Sequence, residues 1–238
     1  MILKDIGMLL AMTPRTRAYL QIMVRNRNMP NHVLLLDDEN NFTDEFQYSS
    51  SFKYGKLFDL HKSIMQTLRE ANIPYEFCST RNPNESAVID LLKTRSEKYI
   101  IYSGPAGIIL RKEILSVGMK FIHIHPGIVP EYKGSTPIYY SILKDEKCGA
   151  TAFFMNEEID SGDIIMQREF DRPTPGEDID YYFDCSMRAT LLKEILDSYV
   201  SKGEFPKETL LQNANEETYF IIHPVLKHIA ILMCQVNN

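Results

Sequence analysis

The chain has 238 residues, 44% of them hydrophobic and 24% charged, with a formal net charge of −6, which is typical of a globular protein with one large or two small domains. The acidic balance and the scattered lysines and arginines argue against a nucleic-acid-binding surface. The apolar runs are too short to span a bilayer and no signal-peptide pattern precedes them, so we predict a cytoplasmic protein without membrane contacts.

The first half of the chain alternates strand-length apolar runs with segments of helical period. Strands are predicted at Asp5 to Ala11, HVLLLDDENN, IPYEFCS, KYIIYSG and MKFIHIHPG, and helices at Thr13 to about Asn26, Leu57 to Ala71, Glu85 to Ser96 and Ile108 to Val117. Thr13 before Pro14 is typical of an N-cap and a first helical residue. Residues 40–56 are predicted to be irregular. The alternation predicts an α/β fold with a Rossmann-like, doubly wound, mostly parallel sheet.

The pattern changes after Pro126. A short helix is predicted in TPIYYSILKDE, two strands that could be neighbours in CGATAFFMN and DIIMQREF, and a long amphipathic helix from about Gly176 to Lys202. The tail is predicted to add a strand and a short helix. Because no linker is evident, we predict one main domain at 1–203 with a short C-terminal extension at 204–238 packed on it. Reduced core thiols are predicted at Cys78, Cys148, Cys185 and Cys234.

A His-x-His pair lies at the end of one predicted strand, in FIHIHPG. His123 and His125 would project from the same face, at the edge where open α/β sheets bind ligands. Three interpretations are open: ligands of a zinc or iron ion, ordinary polar residues at a strand end, or a catalytic pair. The chain's other histidines have no ligand-like spacing with these two.

A second signal follows in MNEEIDSGDIIMQ, where Asp160 lies in an Asp-Ser-Gly turn before an apolar strand. A carboxylate there could orient a strand-end imidazole and stabilise its protonated form. Asp-Ser-Gly is also a common turn sequence, so the motif has a purely structural interpretation as well.

Two segments together, IHPGIVPEYKGSTPIYYSIL and GATAFFMNEEIDSGDIIMQ, resemble the folate-dependent formyltransferases. That family includes enzymes acting on glycinamide ribonucleotide, methionyl-tRNA and amino sugars, and its motifs cover about Ser103 to Gln167. The resemblance implies a formyltransferase catalytic domain at 1–203 that uses N10-formyltetrahydrofolate and no metal. His125 matches the catalytic histidine and Asp160 the catalytic aspartate. The family's asparagine falls on His123, whose imidazole can also donate a hydrogen bond to the formyl oxygen.

The resemblance also implies a folate-binding slot at the loop SGPAGIIL, Ser103 to Leu110. Its glycines would let the backbone approach a flat ring, although the loop also fits a plain turn between a strand and a helix. Donor-binding residues are expected at Gly104, Gly107, Ile108, Ile109 and Leu110, and on the other side of the slot at Asn156, Glu157 and Glu158.

Features missing from the sequence restrict which amine could accept the formyl group. Family members acting on tRNA carry an extra C-terminal domain, for which few residues are left here. Glycinamide ribonucleotide enzymes have a glycine-rich first loop, whereas this chain has LLAMTPRTRAY, in which Thr13, Arg15 and Thr16 could still contact a phosphate. We therefore expect a nucleotide-linked 4-amino-4-deoxy sugar. Contacts to it are expected at Tyr132, Lys133, Ser135 and Thr136, with Tyr139 and Tyr140 as further candidates that equally fit a core.

Other functions stay open at this point. They are a formyltransferase acting on a phosphorylated amine, a metal-dependent hydrolase using His123, His125 and Asp160, and a non-catalytic folate-binding relative disabled by His123. The apolar segment YFIIHPVLKHIAIL could be the surface of a homodimer or part of the core.

Overall fold

The computed structural model describes residues 1–39, 43, 57–208 and 216–235. The irregular segment predicted at 40–56 therefore lies outside the described residues, apart from residue 43. Within the described parts of the chain, no helix has the length and apolar character needed to cross a membrane.

Strands and helices follow one another along the chain with these bounds. The strands are β1 (Ile2–Leu3), β2 (Ile6–Leu10), β3 (Met29–Pro30), β4 (Val33–Leu35), β5 (Tyr75–Phe77), β6 (Tyr99–Ser103), β7 (Lys120–His125), β8 (Lys133–Gly134), β9 (Lys147–Phe154), β10 (Ile164–Asp171) and β11 (Thr218–Tyr219). The helices are α1 (Pro14–Arg25), α2 (Ile64–Glu70), α3 (Ser86–Lys93), α4 (Lys112–Leu115), α5 (Pro137–Asp145), α6 (Asp184–Lys202) and α7 (Pro224–Gln235), with a π-helical turn (Ile179–Phe183) before α6.

The chain forms two compact units. Unit 1 contains Met1–His123 and Met155–Glu157, and unit 2 contains Ile124–Phe154 and Glu158–Asn238. In unit 1 the strands run parallel in the order β5, β4, β2, β6, β7. The described strands are mostly parallel and alternate with helices, which confirms the predicted α/β class. The division into 1–203 and 204–238 stays a prediction.

The core of unit 1 consists of aliphatic and aromatic side chains from the strands and from α3 and α4. Leu9, Leu34, Ile100, Tyr102 and Phe121 belong to this cluster and are at most 4% exposed. A strand that is buried on both faces has a continuous apolar sequence. Strand β2 has this pattern, and all of its residues are buried.

In unit 2, β9 and β10 pair antiparallel, as the sequence pattern predicted for two neighbouring strands. Strand β11 pairs in parallel with β8, so the predicted C-terminal strand and helix both form. Helix α7 leaves apolar side chains exposed, and a homodimer stays a prediction. The exposed side chains are Val225, Leu226, Ile229 and Leu232.

Helix α1 forms where it was predicted, and Thr13 caps it by accepting the Thr16 N–H. Helix α2 was predicted from Leu57 but begins only after Ser63, whose side chain accepts the Gln66 N–H at 2.9 Å. The long C-terminal helix was predicted from Gly176, but regular α-helix starts at α6 after the π-helical turn. The Ser63 cap therefore sets the later start of α2, and the π-helical turn occupies residues that were predicted to begin the long helix. All four cysteines are buried as free thiols.

Helix α4 is much shorter than the predicted Ile108 to Val117. The side chain of Asn84 explains this, because it donates to the Ile109 carbonyl oxygen at 2.9 Å and accepts from the Arg111 N–H at 2.8 Å. These bonds hold backbone groups that a helix starting at Ile108 would use itself, so helix begins at Lys112. A contact between distant residues overrides local propensity here.

Gly162 lies in the turn between β9 and β10, and a Cβ there would be 1.6 Å from the Phe154 carbonyl oxygen. We predict that Gly162→Ala lowers the free energy of unfolding by about 3 kcal/mol, because the backbone at Phe154 or Gly162 must move to make room for the methyl group. Gly176→Ala is the control, since Gly176 has φ +82° and open space around it and should cost only about 1 kcal/mol. Chemical denaturation measures both, and equal costs would contradict this packing.

Candidate active site

The two histidines of the catalytic-pair hypothesis lie at the end of strand β7. Side chains two residues apart on a strand leave the same face, so His123 and His125 project on one side. His125 is 3% exposed, whereas His123 is half-buried. The division between the two units falls between these residues, so His123 belongs to unit 1 and His125 to unit 2.

Both ring nitrogens of His125 face hydrogen-bond acceptors within unit 2. Nε2 lies 2.7 Å from the Tyr132 carbonyl oxygen, and since a carbonyl can only accept, Nε2 carries a proton and donates it. Nδ1 lies 3.3 Å from Oδ1 of Asp160. The structure thus brings the predicted histidine and carboxylate together, and Nδ1 is the nitrogen left to gain or lose a proton.

Asp160 lies in the turn between β9 and β10, where its φ is 49°. Aspartate tolerates this left-handed region better than most residues with a side chain. Its Oδ2 accepts a hydrogen bond of 2.9 Å from the Gly134 N–H, and its side chain is 12% exposed. The amide fixes one carboxylate oxygen and leaves the other facing His125.

Burial lowers the pKa of His125 below its ordinary value, because the imidazolium loses its hydration. The Asp160 carboxylate and the Tyr132 carbonyl act in the opposite direction, since both favour the charged ring. Arg188 adds to the lowering and Asp184 opposes it. Burial is the largest cause, so neutral His125 is the resting form at neutral pH and can accept a proton from a reacting group.

Sequence reasoning missed the ion pair between Asp184 and Arg188 on α6. Arg188 Nε donates to Asp184 Oδ1 at 3.0 Å, and Nη1 donates to the Ile124 carbonyl oxygen at 3.4 Å. The available signal was an i, i+4 pair of opposite charges among buried positions of a helix. This pair ties α6 to the residue immediately before His125.

Two polar side chains that were not singled out from the sequence hold the loop after His125. Thr151 Oγ1 donates to the Gly127 carbonyl oxygen at 2.7 Å and accepts from the Val129 N–H at 3.2 Å. Gln167 Nε2 donates to the Val129 carbonyl oxygen at 2.6 Å. Thr151 is fully buried in β9, and a buried hydroxyl on an apolar strand was the signal that could have found it.

The loop after β6, predicted to hold the donor, lies in unit 1. Arg15 anchors its start, because Nε donates to Ser103 Oγ at 2.9 Å and Nη2 donates to the Gly104 carbonyl oxygen at 2.7 Å. Gly107 has φ +77°, which suits glycine, and it has open space around it. The first residues of this loop are therefore fixed by contacts to α1.

The predicted donor-binding residues differ in exposure. Leu110 is buried in the core of unit 1, and Ile108 is half-buried. The exposed ones are Gly107, Ile109, Asn156, Glu157 and Glu158. Glu158 belongs to unit 2 and the others to unit 1. Their role in binding a donor stays a prediction.

Two of the predicted acceptor residues make contacts within unit 2. The Tyr132 hydroxyl donates to Asp145, and its ring stacks on Tyr219 with 5.6 Å between centroids. The Lys133 ammonium is paired with Glu216. The C-terminal segment therefore contacts residues that were expected to contact the acceptor.

The remaining predicted acceptor residues lie just before and within α5. Ser135 is exposed, and Thr136 Oγ1 accepts the Ile222 N–H at 2.9 Å. Tyr139 is 1% exposed and donates its hydroxyl to Asp180 at 2.7 Å, so it is a core residue. Acceptor binding by this group stays a prediction.

A metal site stays an open alternative at the same place. The imidazole nitrogen of His125 and the carboxylate oxygen of Asp160 lie 3.3 Å apart, and both atom types are zinc ligands. The hydrolase alternative also uses His123, which would make three protein ligands, the number that catalytic zinc sites use.

A family model described as formyl transferase matches residues 53–178. The methionyl-tRNA formyltransferase of Clostridioides difficile (strain 630) is 33% identical over 156 residues, which cover 63% of this chain and 48% of that protein. The corresponding protein of Ehrlichia chaffeensis is 34% identical over 116 residues, which cover 48% of this chain and 37% of that protein. The chain thus spans less than half the length of these curated relatives.

Solved structures with the same fold have low sequence identity. A sugar N-formyltransferase from Shewanella sp FDAARGOS_354 has a TM-score of 0.59 at 16% identity, covering 96% of this chain and 87% of that chain. A phosphoribosylglycinamide formyltransferase from Bacillus halodurans has a TM-score of 0.57 at 16% identity. The match covers 84% of this chain and 97% of that chain. At these identities the likeness shows the fold.

We predict that the free energy of unfolding falls as pH is lowered from 7.5 to 5.5. Burial lowers the pKa of both His125 and His32, so the unfolded chain takes up protons at these imidazoles near pH ~6.5, before the folded chain does. The two neutral imidazoles therefore contribute fully to the free energy of unfolding above about pH 6.5, and this contribution is lost as the pH falls below that value. His125→Asn should flatten the decline and His228→Asn, at an exposed position, should not. An unchanged slope in His125→Asn would contradict the burial effect.

Proposed function

The chain belongs to the formyl transferase family, and on that premise we propose that it moves a formyl group from N10-formyltetrahydrofolate to the amine of a nucleotide-linked 4-amino-4-deoxy sugar. The observation that carries the proposal is the buried His125 with its Nδ1 3.3 Å from Asp160. A neutral imidazole backed by a carboxylate is suited to take a proton from an attacking amine, since the carboxylate stabilises the imidazolium that forms.

The proposed reaction proceeds by addition and elimination at the formyl carbon. The uncharged amine nitrogen forms a bond to that carbon, and the formyl oxygen takes the negative charge of the tetrahedral intermediate. His125 accepts the proton that the amine loses, with Asp160 balancing the charge. The bond from carbon to N10 then breaks, and N10 takes up the proton. The products are the N-formyl amine and tetrahydrofolate, so protons balance without an added reactant.

His123 is proposed to donate a hydrogen bond to the formyl oxygen, at the place of the family's asparagine. Donors aimed at such an oxyanion typically contribute about a hundredfold or more in rate. The donor is proposed to bind at the loop after β6. Its proposed contacts are Gly104, Gly107, Ile108, Ile109, Leu110, Asn156, Glu157 and Glu158.

The amino-sugar acceptor is supported by two features. The net charge of −6 disfavours a polyanionic tRNA. The turn before α1 begins with Ala11, Met12 and Thr13 and contains no glycine, unlike the glycine-rich phosphate loop expected of glycinamide ribonucleotide enzymes. Acceptor contacts are proposed at Tyr132, Lys133, Ser135 and Thr136. A cytoplasmic location also stays a prediction.

A second candidate acceptor is methionyl-tRNA. It is favoured by the relative that is 33% identical over 156 residues, which is a methionyl-tRNA formyltransferase. Because the chain spans less than half of that protein, the whole activity of the relative is a proposal for this chain.

We predict tetrahydrofolate release when the protein is mixed with N10-formyltetrahydrofolate and one member of a panel of amines. The panel contains nucleotide-linked 4-amino-4-deoxy sugars, glycinamide ribonucleotide and methionyl-tRNA, each with and without a chelator. Release with an amino sugar that ignores the chelator would support the proposal. Tetrahydrofolate release only with glycinamide ribonucleotide or only with methionyl-tRNA would identify that compound as the acceptor in place of the amino sugar. Release abolished by the chelator would favour the metal-dependent alternative.

With the accepted amine, His125→Ala and Asp160→Asn should each lower kcat by about a hundredfold or more, because proton acceptance and its charge balance are lost. His228→Ala is the matched control, as His228 is exposed on α7 and should keep full kcat. Circular dichroism would show that the variants are folded. Near-normal kcat in both site variants would remove the pair from the mechanism.

His123→Asn restores the residue that the family pattern has at this position, and both side chains can donate a hydrogen bond. We predict that wild type turns over and that kcat of His123→Asn stays within about tenfold of it. A wild type that binds folate without turnover, with activity gained in His123→Asn, would instead establish the non-catalytic relative.

A further inference from the structure

The fourth residue of β6, Tyr102, carries a buried hydroxyl. Its side chain is 4% exposed and belongs to the core of unit 1. Among the residues that the structure describes, its Oη has no hydrogen-bond partner. An unpaired buried hydroxyl costs stability, and such a group calls for a specific explanation.

The end of the Tyr102 ring lies directly over the start of the loop after β6. A Cβ on Gly104 would be 1.9 Å from Tyr102 Oη and 2.1 Å from its Cζ. Glycine at position 104 therefore makes room for the phenol. The same ring lies 6.4 Å from the His123 ring, with 48° between their planes. The hydroxyl thus lies against the backbone of Gly104, and its ring is near the His123 ring, all within unit 1.

The phenol keeps its proton at neutral pH. Burial raises the pKa of Tyr102 to about 12, with the Arg15 charge opposing that shift. A protonated phenol can donate one hydrogen bond, and a carbonyl oxygen is an acceptor that would complete it.

We infer that Tyr102 is a ligand-binding residue whose hydroxyl donates a hydrogen bond to a carbonyl oxygen of the bound formyl donor. This inference rests on the proposed function, which puts the donor at the loop containing Gly104. The acceptor atom is either the carbonyl of the donor's fused ring or its formyl oxygen. Because no described residue pairs with this hydroxyl, its proposed role is in binding the donor rather than in folding.

The test compares Tyr102→Phe with wild type. The dissociation constants of 10-formylfolic acid, a stable folate that carries its formyl group on N10, and of tetrahydrofolate are measured by calorimetry, and Tm is measured without ligand. Tyr102→Phe should bind about fivefold to tenfold more weakly, the usual effect of one hydrogen bond. Its Tm should be no lower than that of wild type. Tyr99→Phe, on the same strand but the opposite face, is the matched control and should bind normally.

Each outcome has a defined meaning. Weaker binding of both ligands by Tyr102→Phe supports the inference and assigns the ring carbonyl, whereas weaker binding of 10-formylfolic acid alone supports it and assigns the formyl oxygen. Unchanged affinity, with or without a lower Tm, overturns it, and so does tighter binding; each leaves the proposed function intact. A wild type that binds neither ligand and releases no tetrahydrofolate overturns this inference and the proposed function together.

Discussion

One short stretch of backbone, from Tyr132 to Gly134, holds both members of the candidate catalytic pair. Its carbonyl oxygen at Tyr132 accepts from Nε2 of His125 at 2.7 Å, and its amide at Gly134 donates to Oδ2 of Asp160 at 2.9 Å. The first bond decides which nitrogen of the ring carries the proton. The second decides which carboxylate oxygen is left to face that ring. The chemistry proposed for the site depends on both bonds, because each leaves one atom free for proton transfer.

The same stretch is fixed in turn by the C-terminal segment of unit 2. The Lys133 N–H donates to the Glu217 carbonyl oxygen at 3.0 Å, and the Ser135 N–H donates to the Tyr219 carbonyl oxygen at 2.8 Å. Gly134 has φ +89°, and a Cβ there would be 2.1 Å from the Tyr219 carbonyl oxygen. Side chains at the ends of both strands add an ion pair and stacked rings. A segment outside the family motifs thus supports the backbone that orients the pair.

The sequence predicted features that are set locally. Alternating patterns identified the α/β class, and Thr13 with Pro14 identified the start of α1. Features set by distant residues were missed. The side chain of Asn84 shortens α4 through bonds to residues some 25 positions later, and Arg188 reaches β7 across 64 positions. The positions of His125 and Asp160 in the sequence suggested a catalytic pair but left metal and turn interpretations open, and the family motifs then favoured the pair.

Nitrogen-15 NMR of the histidine rings, with His125 assigned by its loss in His125→Asn, would show which ring nitrogen of His125 carries the proton. At pH 7.5 we expect a neutral His125 ring with the proton on Nε2, because the Tyr132 carbonyl can only accept and burial lowers the pKa of the ring. A proton on Nδ1 with Nε2 bare would contradict it, since Nδ1 would then be unable to accept a proton from the amine.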